Sequence, residues 1–205
     1  MGRKLNLILV EKILREKGFW VFTPWEFAQI FKTSLVSSQK FLERYTKKGV
    51  FLRAKKGLYL FQPSPEREII LANKIYFPSY VSLETALSYY NLIPETVYAV
   101  TSVTTKPTRE FEVEGRLFEY RKIKKEAFTG YVPKQINGET GLMATAEKAM
   151  VDYLYFVSLG KKNLNERINF RGIDFSKIKD YSKLYENLKL ERIINDVIAG
   201  NRKNR

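Results

Sequence analysis

Three helix signals follow one another closely within residues 5–48, and together they leave few folds open. Apolar residues with a helical period run through residues 5–17, and Gly18 can end that helix. Residues 23–26, Thr-Pro-Trp-Glu, predict the start of a second helix, because Thr caps, Pro suits the first position and Glu reaches back to the cap. Ser34 can cap a third helix over about residues 35–48. The chain therefore begins with three short helices.

A hairpin with a basic tip is predicted directly after the third helix. Residues 50–54 and 58–61 are typical of strands, and Lys55-Lys56-Gly57 between them contains the glycine that a tight turn favours. Pro63 and Pro65 then interrupt the chain. Three helices followed by a basic hairpin predict a winged helix-turn-helix domain over residues 1–62.

Positive charge is concentrated in the same segment. Residues 1–62 contain 13 Lys/Arg and 4 Asp/Glu, a formal charge of +9, whereas the other 143 residues contain 23 and 18, a charge of +5. A basic module joined to a nearly neutral body is typical of proteins that bind a polyanion. General basicity that favours solubility is the alternative.

The predicted partner is double-stranded DNA, and the third helix is the predicted reading element. Its apolar side is expected to include Val36, Phe41 and Leu42, which leaves small hydroxyl side chains near its N-terminus and long cations toward its C-terminus. Base edges suit the former and phosphates the latter. The residues predicted at the groove are Ser34, Ser37, Ser38 and Gln39, and those predicted at phosphates and on the wing are Lys40, Arg44, Lys47, Arg53, Lys55 and Lys56.

The chain contains neither cysteine nor histidine. Disulfides, zinc fingers, thiol nucleophiles and imidazole bases are therefore excluded. The apolar run at residues 5–10 is shorter than the core of a secretory signal, and no run approaches the roughly 20 apolar residues of a membrane span. We expect a soluble, cytoplasmic protein without membrane contact.

Residues 63–205 are predicted to form a larger mixed α+β domain, so the fold class of the whole chain is α+β. Ser82 is the expected cap of a helix that Asn91 ends in a left-handed conformation. After this helix, the sequence predicts strands first and helices afterwards. Helices are predicted over about residues 66–75, 82–90, 142–159, 175–187 and 190–199, and strands over 97–105, 109–114 and 117–125.

Carboxylates in this second part permit two chemical interpretations, and a structural role is favoured for both. Glu110, Glu112 and Glu114 share one face of a predicted strand and could bind a metal, but cations follow on the next strand. Glu147 and Asp152 could form an acid/base pair, but a spacing of five residues does not share a helix face well. The hydroxyl-rich residues 101–106 lack the glycines of a phosphate loop. We predict no enzyme activity, no metal and no cofactor.

Three segments carry a resemblance to a known family. They are YVSLETAL at residues 80–87 leading to LIPE at 92–95, VTSVTTK at 100–106 and ATAEKAMVD at 144–152. With the N-terminal module, they resemble the AbiEi-type antitoxins, the regulators of type IV toxin–antitoxin (abortive infection) systems, over about residues 5–200. Asn91 stands where that family usually has glycine, and Ala146 where it often has proline.

The resemblance implies a transcriptional autorepressor that binds inverted repeats in its own promoter. It also implies an antitoxin that counteracts a nucleotidyltransferase-like toxin without a stable complex. Two alternatives stay open from the residues themselves. One is a stand-alone regulator whose C-terminal domain senses a ligand, and the other is a carboxylate-dependent nucleotidyltransferase or nuclease that would need Glu112 or Asp152.

Overall fold

The structure, a computed structural model, describes residues 5–136 and 138–203. Over these residues the chain has a mixed α+β fold with eight α-helices and nine strands in two sheets, as the sequence predicts for its class. It divides into two compact units. The first comprises residues 1–75 and 134–141, and the second comprises 76–133 and 142–205. The division therefore follows Ile75, whereas the prolines of the sequence suggest a boundary after residue 62.

The first unit contains helices and a three-stranded antiparallel sheet with strand order β1-β3-β2. Its strand pairs include Val21 opposite Leu60 and Leu52 opposite Leu60, so β3 is the central strand. A turn of 3-10 helix, Pro65–Arg67, precedes its last helix. In chain order its elements are α1 (Leu7–Glu16), β1 (Val21–Phe22), α2 (Pro24–Phe31), α3 (Leu35–Thr46), β2 (Phe51–Lys55), β3 (Leu58–Phe61) and α4 (Glu68–Ile75).

Helix boundaries in this unit follow the local capping chemistry. Thr23 accepts a hydrogen bond from the backbone N–H of Glu26 at 3.2 Å, and the Glu26 carboxylate accepts one from the Thr23 N–H at 2.7 Å. This confirms the predicted capping box. Ser34 caps α3, as predicted. Gly18 follows α1 with a φ of 60°, a left-handed conformation that glycine adopts without steric cost.

Aromatic rings fill the core of the first unit. Neighbouring ring centroids lie 5.6 to 6.3 Å apart, within the range at which aromatic pairs attract. All the rings are almost completely buried, so they hold α2, α3 and the sheet together. The core rings belong to Phe22, Phe27, Phe41, Phe51 and Phe61.

A buried carboxylate from the second segment of this unit completes it. Oε2 of Glu139 accepts a hydrogen bond from the backbone N–H of Trp20 at 3.3 Å, and Oε1 lies 3.6 Å from Nζ of Lys74. Burial raises the pKa of the Glu139 carboxyl, and the Lys74 ammonium opposes that shift. Glu139 therefore connects the segment 134–141 to β1 and α4 within the unit.

The second unit is built on a larger mixed sheet flanked by helices. The full sheet has the order β6-β7-β5-β4-β9-β8, with β5 and β7 parallel and β6 and β7 antiparallel. Residues 134–141, which include the end of β8 and the start of β9, belong to the first unit. Its elements are β4 (Ser79–Val81), α5 (Leu83–Tyr89), β5 (Ala99–Thr104), β6 (Arg109–Val113), β7 (Arg116–Lys122), β8 (Tyr131–Ile136), β9 (Glu139–Ala144), α6 (Ala146–Ser158), α7 (Phe175–Lys183) and α8 (Leu188–Lys203).

Two predicted helix ends in this unit have different outcomes. Asn91 has a φ of 55°, which confirms the left-handed terminator. Ser82 precedes α5, but its side chain makes no capping hydrogen bond. Ser82 therefore holds the predicted N-cap position, but its hydroxyl donates to Asp152 at 2.7 Å and caps no backbone N–H. Across the described residues, none of the helices combines the length and the apolar composition that crossing a membrane requires.

Candidate nucleic-acid interface

Helix α3 has a buried side and a side that is open to solvent. Ser38, Phe41 and Leu42 are buried, at 0, 5 and 0% exposure. Residues two positions apart on a helix lie on opposite sides, because each residue advances about 100°. Val36 and Lys40, each two positions from Ser38, accordingly face solvent. The predicted site residues that are exposed on α3 or at its cap are Ser34, Ser37, Gln39, Lys40 and Arg44, and Lys47 is exposed directly after the helix.

The N-terminus of α3 holds two hydroxyl groups that bond to each other. The Ser34 hydroxyl donates to Oγ of Ser37 at 2.9 Å and accepts from the Ser37 N–H at 3.1 Å. Ser34 is thus committed to capping. The Ser37 side chain is exposed, so its hydroxyl can donate to a phosphate or a base edge. An anion is also favoured here, because the first N–H groups of a helix face outward.

Ser38 is not a contact residue, which corrects its prediction at the groove. Its side chain is completely buried, and its hydroxyl has no hydrogen-bond partner among the described residues. The physical reason is its spacing, since Ser38 precedes Phe41, Leu42 and Tyr45 by three, four and seven positions. Those intervals define one helix stripe. The sequence pattern therefore contained the signal, and the hydroxyl chemistry of serine obscured it.

The hairpin that joins β2 and β3 presents two of its three predicted cations. Arg53 and Lys56 are exposed, and Gly57 takes a φ of 79° in the turn. Lys55 is half-buried, and its ammonium donates a hydrogen bond to the backbone carbonyl of Ile75. The prediction of Lys55 at a phosphate is therefore wrong, because this side chain connects the hairpin to the end of α4 inside the unit.

Charge around the exposed side of α3 and the hairpin is strongly one-sided. Residues 32–57 include eight Lys/Arg and a single carboxylate, that of Glu43. Lys48 is exposed and lies 5.5 Å from the ring centroid of Tyr45, a cation–π distance. Lys32 and Lys48 are basic residues of this surface that were not among the predicted contacts. The surface defined by these residues, called the basic face below, attracts an anionic partner.

Apolar side chains also lie on this surface, and the sequence interpretation did not place them there. Val36 was expected on the buried side of the third helix, but it is 58% exposed. The expectation is wrong because Val36 precedes Phe41 by five positions, an interval that leaves the stripe. Leu35 is 45% exposed beside it.

Glu110 and Glu112 of the second unit lie on strand β6. Glu112 is exposed on β6, and Glu110 lies 3.3 Å from Arg121, whose guanidinium also contacts Glu119 at 2.6 Å. Arg121 on the neighbouring strand thus forms ion pairs with two carboxylates, one on each strand. Within residues 5–136 and 138–203, no group of three or more acidic side chains is arranged to hold a metal ion.

Asp152 lies at the centre of a buried polar cluster, defined by Tyr80, Ser82, Lys148, Asp152 and Tyr185. Lys148 and Asp152 form an ion pair with both side chains 0% exposed. Oδ2 accepts hydrogen bonds from Tyr80 at 3.1 Å and Ser82 at 2.7 Å, and Oδ1 accepts one from Tyr185. With four donors and no exposed surface, the carboxylate is not open to a substrate.

The electrostatics of the buried cluster agree with a structural role. Burial raises the pKa values of the Tyr80 and Tyr185 hydroxyls, and the nearby Asp152 carboxylate raises them further. Burial lowers the pKa of Lys148, and the same carboxylate opposes that shift. Tyr80 and Ser82 come from the resembling segment 80–87, and Lys148 and Asp152 from the segment 144–152. Two of the segments that carry the family resemblance therefore meet at one carboxylate.

No family model matches the chain, and no curated protein sequence is significantly similar to it.

Proposed function

We propose that the first unit is a winged helix-turn-helix domain that binds double-stranded DNA and that the chain is a transcriptional regulator. The observation that carries the proposal is the basic face, on which seven exposed cations and one carboxylate lie within residues 32–57. In this proposal α3 enters the major groove and the hairpin of β2 and β3 lies along the backbone. Neutralised phosphates supply most of the affinity.

The topology of the first unit supports this proposal. Its elements follow the order α1-β1-α2-α3-β2-β3, and β1 pairs with β3 at the side away from β2. Three helices followed by a two-stranded hairpin are the arrangement that the sequence predicts for a winged helix-turn-helix domain. Helices α2 and α3 are separated by Lys32, Thr33 and Ser34, and Lys32 takes a left-handed φ of 48°. A turn of three residues has the length that joins the two helices of a helix-turn-helix.

The test is a DNA-binding measurement on the full chain by fluorescence anisotropy. The probes are duplexes from the region upstream of its own gene and a scrambled duplex of equal length, each at several salt concentrations. We expect tight binding to an upstream duplex that resists unlabelled competitor and weakens steeply with salt. Equal affinity for the scrambled duplex would reduce the domain to a non-specific binder, and absence of binding would refute the proposal.

Variants sharpen that test by separating contact residues from total charge. Lys40→Ala and Arg44→Ala remove exposed cations of α3, and Lys189→Ala removes an exposed cation of α8 in the second unit. The first two variants should bind every duplex more weakly and lower the salt slope by about 0.9 for each lost phosphate contact. Lys189→Ala is the charge-matched control and should behave as the parent protein.

The fuller proposal is an autorepressor and antitoxin of a type IV toxin–antitoxin system. It rests on the resemblance to the AbiEi-type family, and the meeting of segments 80–87 and 144–152 at Asp152 supports it by giving those residues a shared role. In this proposal the second unit counteracts a nucleotidyltransferase-like toxin without a stable complex.

Co-expression of the chain with an adjacent nucleotidyltransferase-like gene tests the antitoxin function. Growth should be inhibited by the second gene alone and restored by the chain. Absence of such a neighbouring gene would favour the alternative of a stand-alone regulator with a ligand-sensing second unit. That alternative predicts a DNA affinity that changes when a small molecule is added.

A further inference from the structure

We propose that Val36 is a specificity-determining residue that reads the 5-methyl group of a thymine in the DNA site. The inference rests on the proposed DNA-binding function and deepens it, because it names the base that one exposed side chain would contact. Val36 stands in the first turn of α3 and is 58% exposed, the more exposed of the two apolar residues that begin this helix.

The position of Val36 follows from the register of α3. Ser38, Phe41 and Leu42 fix the buried stripe, and Val36 lies about 200° around the helix from Ser38. Lys40 and Lys47 follow Val36 by four and eleven positions, so all three share the outward side. The helix therefore presents an apolar group at its N-terminal end and cations farther along the same line.

This arrangement fits the chemistry of a thymine in the major groove. In helix-turn-helix complexes, the N-terminal residues of the recognition helix contact base edges, and thymine is the base that offers an apolar group there. If Val36 instead contacted an apolar protein surface, the cations around it would have no role in that contact. Here a charge of +7 over residues 32–57 favours a nucleic acid over an apolar protein surface as the partner of Val36.

The stiffness of valine adds to its suitability. In a helix, its branched side chain has one strongly preferred rotamer, so its two methyl groups are held in a fixed direction before binding. Burial of the thymine methyl against them then requires little additional ordering. The expected contribution of one methyl group is about fourfold in affinity, which corresponds to ~0.8 kcal/mol.

The experiment shortens the Val36 side chain and removes the thymine methyl group, separately and together. A binding site is first selected from a pool of random duplexes, and each thymine of the selected site is then replaced in turn by uracil, which lacks only the methyl group. The full chain and its Val36→Ala variant are titrated with each duplex. Leu188→Ala, which shortens a residue that is 73% exposed at the start of α8, is the control.

We expect one thymine position in each half-site at which uracil weakens the parent protein about fourfold but leaves Val36→Ala unaffected. Leu188→Ala should keep the parent's sensitivity. Equal sensitivity of the parent protein and Val36→Ala at every position would overturn the assignment, as would a parent protein that does not distinguish uracil anywhere. In both cases sequence-specific binding would persist, whereas failure to select any site would refute the DNA-binding proposal itself.

Discussion

Ser82 donates a hydrogen bond of 2.7 Å to Oδ2 of Asp152, although 70 residues separate them along the chain. The bond joins the residue before α5 to the middle of α6 in the core of the second unit. Lys148, one helical turn before Asp152, supplies the opposing charge. A buried carboxylate is tolerated only when it is paired and hydrogen-bonded, so this cluster fixes how these elements meet.

Breaking the ion pair in the buried cluster should destabilise the second unit strongly. We expect Asp152→Asn and Lys148→Met each to lower the free energy of unfolding by about 3–5 kcal/mol, because either change leaves one buried charge without its partner. The double variant should cost much less than the sum of the two. Denaturant unfolding followed by far-ultraviolet circular dichroism measures all three.

The exposed pair Asp180 and Lys183 is the matched control for this cycle. Their charged groups lie 2.9 Å apart, but the side chains are 67 and 70% exposed. Solvent screens such a pair, so Lys183→Met should change the free energy of unfolding by less than about 1 kcal/mol. Additive costs for Lys148→Met and Asp152→Asn would show that the two buried charges do not depend on each other.

Local chemistry made much of the first unit predictable. The Thr23–Glu26 capping box and the Ser34 cap each involve residues within a span of four, so the local sequence is enough to predict them. Strand β1 was not predicted, because its two residues, Val21 and Phe22, are too short to show a period. β8 and β9 were also missed.

Long-range partners explain the errors at individual side chains. Lys55 stands at a basic hairpin tip in the sequence, but its hydrogen-bond acceptor is a carbonyl 20 residues away. Ser82 stands at the N-cap position, but its hydroxyl donates to a buried carboxylate 70 residues away and accepts no hydrogen bond from the first turn of α5. Neither partner can be deduced from spacing, because both depend on how the elements pack.

The stability of the first unit should depend on the titration of Glu139. Burial raises the folded-state pKa of this carboxyl above its ordinary value of 4.5. The folded state thus holds the proton more tightly, and this contribution falls as pH rises from about the ordinary value through the raised one. Glu139→Gln removes the titration, so its stability relative to the parent protein should improve as pH rises through that window.

Tryptophan fluorescence measures this effect selectively. The chain has two tryptophans, Trp20 and Trp25, both in the first unit, and the Trp20 N–H donates to the Glu139 carboxylate at 3.3 Å. Unfolding curves are recorded for both proteins at a series of pH values from 4 upward. A difference in unfolding free energy that stays constant with pH would contradict the assigned role of burial.

The two lysines at the hairpin tip should respond differently to removal. Lys56 is exposed, so Lys56→Ala should weaken DNA binding and lower the salt slope by about 0.9 while leaving stability unchanged. Lys55→Ala should lower stability, because it removes the hydrogen bond to the Ile75 carbonyl, and should leave the salt slope unchanged. Anisotropy titrations at several salt concentrations, paired with thermal unfolding, separate the two. If the salt slope of Lys56→Ala were unchanged, like that expected of Lys55→Ala, Lys56 would not contact the DNA backbone.

Neighbouring serines on α3 offer the clearest separation of surface from core. Ser38→Ala removes a buried hydroxyl that has no hydrogen-bond partner among the described residues, so it should leave DNA affinity unchanged and raise stability by up to about 1 kcal/mol. Ser37→Ala keeps the backbone N–H that Ser34 caps but removes an exposed hydroxyl at the N-terminus of the helix. It should weaken DNA binding about fivefold at little cost in stability, since one neutral hydrogen bond contributes about 1 kcal/mol. If Ser38→Ala instead weakened binding and Ser37→Ala did not, α3 would have to face DNA through its buried stripe, and the orientation of the domain on DNA would be wrong.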